Sequence, residues 1–270
     1  MDNANSASYD IYDDKVLLPP VLFIGHGSPM NAIEKNSYNL QWAELGKKLP
    51  KPKAILCVSA HWVTNGVKVT AMNKPRTIHD FHGFPKKLIS QEYPAPGAPD
   101  LAELTVKNVV YSAIHADFEW GLDHGTWSVL LPMFPAADIP VYQLSLDNNL
   151  SLKQHYELGK ELQFLRAKGV MIIGSGNIVH NLRLMNFNNK IYDWAKDFDA
   201  YIKNAILNRD YSLITGYEKF GTGAKLSVPT TEHFLPLLYT LALGHDNEQI
   251  SFFNESIDVG SISMRSLIIS

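Results

Sequence analysis

The sequence predicts an α/β fold, a single domain with a central mixed, mostly parallel sheet flanked by helices on both faces. Three observations predict it. Short apolar, β-branched runs recur along the chain, bounded by Pro, Gly or Asn. Helical segments with apolar faces alternate with them. No internal repeat, low-complexity tract or linker breaks the alternation beyond a polar stretch at the start. The domain organisation read from this is a polar tail over 1–17 and one domain over 18–270. The chain has 270 residues, 46% hydrophobic and 19% charged, enough to bury a sizeable core.

Taken in order, the expected strands are Val21–Gly25, 54–60, 67–72, 139–146 and 170–174, each a run of Val, Ile, Leu or similar residues of strand length. Between them, 100–113 reads as a helix opened by Pro99. The segment 151–168 reads as another, with Ser151 as N-cap, Leu158, Leu162 and Leu165 on one face, and Gly169 as its stop. The apolar stretches 127–137 and 234–244 read as buried helices. Both fall short of the roughly 18 residues that span a bilayer. Helices are also expected over 192–207 and 230–243, and late strands over 250–254 and 261–269 that add an antiparallel edge.

Charge and composition exclude several functions. Twenty-four Lys and Arg against 27 Asp and Glu give a net charge of -3, which provides no positive field for a nucleic acid. The acidic start, without a basic region leading into an apolar run, predicts a cytoplasmic protein with no membrane partner. A lone cysteine, Cys57, excludes an internal disulfide and any thiolate-rich metal site. Ten histidines remain, so a metal here is held through nitrogen and oxygen.

Several histidines sit where an α/β sheet places its ligands, beyond the C-terminal ends of the strands. His26 follows the first strand between Gly25 and Gly27, His61 follows the run ending at Ala60, and His180 lies shortly after the run ending at Gly174. Glycines beside a histidine let the backbone turn and let other groups approach the ring. Ser28 lacks the G-x-S-x-G elbow of a hydrolase nucleophile. His124 lies between Asp123 and Gly125, where Asp123 either orients an imidazole or caps the following helix. The run from Gly174 to His180 departs from a dinucleotide loop at Val179. His233 is expected in the first turn of a helix, beside Glu232, which is either a partner of the imidazole, a substitute ligand or a charge at the helix N-terminus. His79 and His82 are candidates to line a substrate loop, whereas His115, His155 and His245 read as surface residues.

Taken together, Phe23-Ile24-Gly25-His26-Gly27-Ser28-Pro29-Met30-Asn31, Ser59-Ala60-His61-Trp62, His79-Asp80-Phe81, Gly83-Phe84-Pro85, Tyr93-Pro94-Ala95-Pro96-Gly97, Asp123-His124-Gly125-Thr126-Trp127, Gly174-Ser175-Gly176-Asn177-Ile178-Val179-His180-Asn181 and Glu232-His233-Phe234-Leu235-Pro236-Leu237 resemble the extradiol ring-cleavage dioxygenases of the DOPA 4,5-dioxygenase type, closest to the bacterial members. The resemblance spans nearly the whole chain. It implies the fold of the protocatechuate 4,5-dioxygenase catalytic subunit and cleavage of a catechol such as DOPA by dioxygen to a ring-opened semialdehyde. It also implies a single non-haem metal ion bound by His26, His61 and His233, with His180 as a fourth ligand or an acid/base and His124 as a further active-site histidine. Relatives with the protocatechuate-type site place a carboxylate where this sequence offers His233 next to Glu232. Iron(II) is the expected metal for oxygen chemistry, and zinc(II) also suits a four-histidine site. A zinc-dependent hydrolase on the same scaffold is the alternative. Trp62, Trp127 and Phe84 either pack against the aromatic substrate or belong to the core.

Overall fold

Alternation of side chains along each central strand sends them to two separate cores. Val21 and Phe23 pack into one, while Leu22 and Ile24 pack into the other. The same division holds for Leu56 and Val58 against Ile55 and Cys57. Strands buried on both faces need nearly continuous apolar sequence, which is why these runs are legible as strands. The computed structural model describes residues 18–188 and 190–270, so the polar tail over 1–17 lies outside the described residues.

In chain order the strands are β1 (Val21–Gly25), β2 (Ala54–Thr64), β3 (Val67–Thr70), β4 (Ile114–Asp117), β5 (Val141–Asp147), β6 (Val170–Gly176), β7 (Ile250–Phe253), β8 (Ile257–Asp258), β9 (Ile262–Ser263) and β10 (Ser266–Ile269). Eight of them form one sheet in the order β4-β3-β5-β2-β6-β1-β10-β7, and β8 and β9 pair separately. The centre is parallel, β1 with β6, β6 with β2, and β2 with β5. The late strands supply the expected antiparallel edge, with β10 against β1 and β7 against β10. On the opposite side β3 runs antiparallel to β5.

Helices cover both faces. Ser37–Lys48 and His124–Met133 bury Trp42, Trp127 and Leu130 in one core. Pro99–Asn108, Leu152–Glu161, Asp193–Leu207 and Leu235–Ala242 bury Ala102, Leu158, Phe198 and Leu238 in the other. The α/β sandwich with a mostly parallel mixed sheet is the architecture expected from the sequence.

Boundaries differ in instructive places. The helix expected over 151–168 is interrupted at Leu162, where Leu152–Glu161 ends and Gln163–Ala167 begins. Ser151 caps its start within a full capping box with Gln154, and Gly169 ends it at φ +84°. The last helix begins at Leu235, so His233 lies in the turn before it and not in its first turn. The helix Ser37–Lys48 and strand β4 were not anticipated. Both have weak sequence signals: Trp42 is the only fully buried residue of the helix, and only Ile114 of β4 is buried. Among the described residues no helix is long and apolar enough to cross a membrane.

Candidate metal centre

The strand ends of the parallel centre converge on one side of the sheet, and five histidines meet there. His26 directly follows β1, and its backbone N–H donates to the Gly176 carbonyl at the end of β6. His61 lies inside β2, which runs farther than the sequence suggests, at a register shift between Val58 and Val63. A bulge of this kind re-aims side chains near a site. His180 follows β6, with its backbone N–H on the Ser227 carbonyl. His124 is the first residue of its helix. The turn carrying His233 is pinned to the β6 exit, because Asn177 N–H donates to the His233 carbonyl at 2.8 Å.

Two glycines make this approach possible. A Cβ on Gly176 would come within 2.2 Å of the His233 carbonyl oxygen, and one on Gly125 within 2.8 Å of the His61 ring. Any side chain at either position would push the two elements apart.

The rings of His26, His61 and His233 form a nearly equilateral triangle, with centroid separations of 5.1, 5.0 and 5.3 Å. His26 Nε2 and His61 Nε2 face each other at 3.2 Å. Hydrogen bonds behind His26 and His233, and a carboxylate behind His61, favour protons on Nδ1. The Ser175 hydroxyl donates to the Gly125 carbonyl at 2.5 Å, so its oxygen accepts from His26 Nδ1 at 3.0 Å. His61 Nδ1 lies 3.3 Å from Asp80 Oδ2, and His233 Nδ1 is 3.1 Å from Glu232 Oε1. Protons held on Nδ1 leave lone pairs on Nε2.

Two facing lone pairs at 3.2 Å repel unless a cation lies between them. With metal–nitrogen bonds of about 2.0–2.1 Å, adjacent ligands of one ion stand about 3.0–3.4 Å apart, so the observed spacing fits a metal ion. Ligand atoms of His26, His61 and His124 lie within 4.8 Å of one another, as do those of His180, Glu232 and His233. The two groups meet across the cavity.

Burial, followed by the mutual repulsion of the rings, pushes His26 and His233 well below the usual imidazole range. Burial and the neighbouring His124 lower His61 to about 3, with Asp80 opposing, and burial lowers His180 to about 4, with Glu232 opposing. Neutral imidazole is the form that binds a metal or accepts a proton. Asp80 is itself pulled two ways: burial raises its carboxyl, but the contacts from His124 and His61 outweigh this and hold it below its ordinary value. Its Oδ2 lies 3.0 Å from His124 Nδ1, outside good hydrogen-bond alignment, while Oδ1 accepts the His124 backbone N–H at 2.9 Å.

His180 and His233 stack at 3.5 Å between centroids with planes only 8° apart. A ligating imidazole keeps the metal in its ring plane, so two parallel rings this close cannot both do so for one ion.

The cavity in front of the histidines has a volume of about 570 Å³, the size of a small-molecule pocket. Phe81, Phe84, Leu182, Met185, Phe187 and Ile262 supply its apolar lining, and Ser28, Asp80 and Asp258 join the histidines as polar lining.

Other candidates fall elsewhere. His79 Nε2–H donates to the Gln91 carbonyl and its ring packs on Trp127, and His82 is exposed; neither lines the cavity, whereas the intervening Asp80 and Phe81 do. Trp127 is wholly buried and Trp62 stacks on Trp120, which makes both part of the core, while Phe84 faces the cavity. Asp123 does cap the helix at Thr126, and its carboxylate also accepts from Ser59 and Gln143; it touches no imidazole of the cluster through a hydrogen bond. His155 is fully buried against Tyr239, not on the surface. Cys57 is buried and burial pushes its thiol up, so it is unreactive. Ser175 and Asp80 were missed as partners of the imidazoles. The only sequence signal for either was its position inside a motif beside a histidine.

Residues 19–258 match the family model of the catalytic LigB subunit of aromatic ring-opening dioxygenase. The chain is 46% identical over 255 residues to the 4,5-DOPA dioxygenase extradiol of Escherichia coli (strain K12), covering 92% of this chain and 93% of that protein. It is 36% identical over 249 residues to the enzyme of the same name from Beta vulgaris, covering 89% and 92%. A crystal structure of an uncharacterised Escherichia coli K12 protein superposes with a TM-score of 0.82 at 42% identity, over 93% of this chain and all of that one. Members of this family are non-haem metal enzymes acting on a small molecule and dioxygen, which does not favour the hydrolase alternative. The chain belongs to the family of catalytic LigB subunits of aromatic ring-opening dioxygenases, and it is an extradiol ring-cleaving dioxygenase.

Proposed function

We propose that this enzyme opens the ring of a catechol such as DOPA beside its hydroxyl pair, giving a ring-opened semialdehyde, at one iron(II) held by His26, His61 and His233. The observation that carries this reading is the triangle of three neutral imidazoles, two of them with Nε2 atoms 3.2 Å apart, at the floor of a catechol-sized apolar cavity. The relatives named 4,5-DOPA dioxygenase extradiol support the substrate class. The iron supplies the electron exchange between catechol and dioxygen, which zinc cannot supply.

The chain's own groups bind, orient and move protons. Phe81 and Phe84 stand where an aromatic ring enters, and the apolar lining excludes water from it. His180 is assigned to acid/base work, because its stack on His233 disfavours a fourth-ligand role. Held neutral, it takes a proton from a catechol hydroxyl at a ring nitrogen and returns it as the ring opens. His124, with Nδ1 against Asp80, presents its other nitrogen as a second hydrogen-bonding group for substrate.

The test is anaerobic reconstitution with iron(II), followed by admission of oxygen and DOPA. One oxygen consumed per catechol, with appearance of a coloured ring-opened product, is the expected result. No oxygen uptake with any catechol, together with zinc-dependent hydrolysis of an ester, overturns the reading.

A further inference from the structure

The charge of the cavity lining carries information about substrate that neither the family nor its metal chemistry supplies. Among the described residues no Lys or Arg lines the cavity, and the acidic side chains there are Asp80 and Asp258. Asp80 is occupied by His61 and His124. Asp258 is not. It lies half-buried on β8, away from the imidazoles in the chain, and among the described residues its side chain accepts one hydrogen bond, from the N–H of the adjacent Val259 to Oδ1. Its neighbours in the lining, Val259 and Ile262, are apolar, so its charge is not neutralised within the cavity wall.

We propose that Asp258 is a specificity determinant that selects catechols whose side group carries an ammonium, as that of DOPA does, over those whose side group is solely anionic. The proposal rests on the cavity being the catechol site described above. A half-buried carboxylate with a free oxygen attracts an ammonium group more strongly than an exposed one, because less water screens it, and it repels a carboxylate for the same reason. With no cationic side chain in the lining, a carboxylate on the substrate's side group has no partner from the wall. An unpaired charge in a confined site is disfavoured. The substrate class is thus an aromatic ring bearing two adjacent hydroxyls and a short chain that carries an amine, whether or not a carboxylate accompanies it.

The experiment is calorimetric binding to the metal-reconstituted protein without oxygen. Dopamine and 3,4-dihydroxyphenylacetate share a ring and a two-carbon chain but differ in terminal charge, and 4-ethylcatechol is the uncharged reference. The wild-type protein is expected to bind dopamine about tenfold or more tightly than 3,4-dihydroxyphenylacetate. Asp258→Asn retains the acceptor for Val259 N–H and should bring the two within about twofold, and Asp258→Lys should invert the order. Equal or better binding of 3,4-dihydroxyphenylacetate by the wild type, or a preference that survives both substitutions, overturns the proposal. Failure of the catechol reading itself shows differently: 4-ethylcatechol does not bind the wild type either, and the proposal falls with it.

Discussion

Two regions of this molecule bury histidine, and they do so to opposite ends. At the strand ends, five imidazoles converge on one cavity, with Nδ1 of His26, His61 and His233 directed to Ser175, Asp80 and Glu232 and with Nε2 of His26 and His61 facing each other. On the other face of the sheet, His155, on the helix Leu152–Glu161, is buried against Leu235–Ala242 with its Nδ1 2.8 Å from the Tyr239 hydroxyl. Burial lowers the affinity for protons in both places. Burial and a depressed pKa are therefore not marks of function by themselves. What separates the regions is convergence: lone pairs aimed at one another call for a cation, whereas His155 stands apart from any other imidazole, with Nδ1 bonded to Tyr239 and Nε2 without a partner among the described residues.

The comparison breaks most visibly at His26. Replacement by Ala removes one corner of the triangle and should weaken metal binding more than about 100-fold, since losing even an outer partner of a ligand costs about 10–100-fold. Metal analysis after dialysis checks this; stoichiometric retention would mean that the ion is held by other residues.

The next effect belongs to the other region and concerns acid stability. Burial holds His155 at about 4 in the folded protein, partly opposed by Asp147, against an ordinary value of 6.5. The unfolded chain therefore binds the proton first as pH falls. The stability this residue contributes is complete above about pH 6.5, declines as pH falls through the interval to about 4, and is gone below it. Between pH 7 and pH 5 the loss amounts to about 2 kcal/mol. Urea unfolding at the two pH values should show a smaller pH dependence for His155→Gln by about that amount. An unchanged slope would show that His155 is protonated in the folded state.

Ser175→Ala sharpens the comparison from within the cluster. The substitution removes the oxygen that accepts His26 Nδ1–H and frees the Gly125 carbonyl, while the ring stays in place. Metal affinity should fall about tenfold, with zinc or iron alike, because a ligand without its outer partner is less well oriented. If affinity is unaffected, the tautomer of His26 is fixed by the metal and not by the serine.

Legibility from sequence followed the range of the interactions involved. Central strands such as β1 and β6 were plain because burial on both faces forces every residue to be apolar, a local signal. The capping box at Ser151 and the stop at Gly169 were equally local. The helix Ser37–Lys48 was not, since it packs chiefly on the helix His124–Met133, buries only Trp42 fully and shows no broad apolar stripe. His61 was placed beyond a strand, whereas β2 continues through it with a shifted register against β5; pairing register depends on a neighbouring strand some eighty residues away.

The candidate site divides in the same way. The sequence by itself determined the chemistry available, ten histidines and a single cysteine, and the glycine-flanked motifs that bring imidazoles to strand ends. It also determined the α/β class, because the periodicity of burial is written residue by residue. The five histidines that the resemblance names do share one cavity, but only the tertiary structure decided that His155 belongs to the core, that His180 lies flat on His233, and that Asp80 and Ser175 stand behind the rings. The physical reason is that a triangle of imidazoles with sides near 5 Å joins residues as distant as His26 and His233. No local preference encodes such a separation; it exists only once the sheet has closed and the glycines at 125 and 176 have let its edges and loops approach.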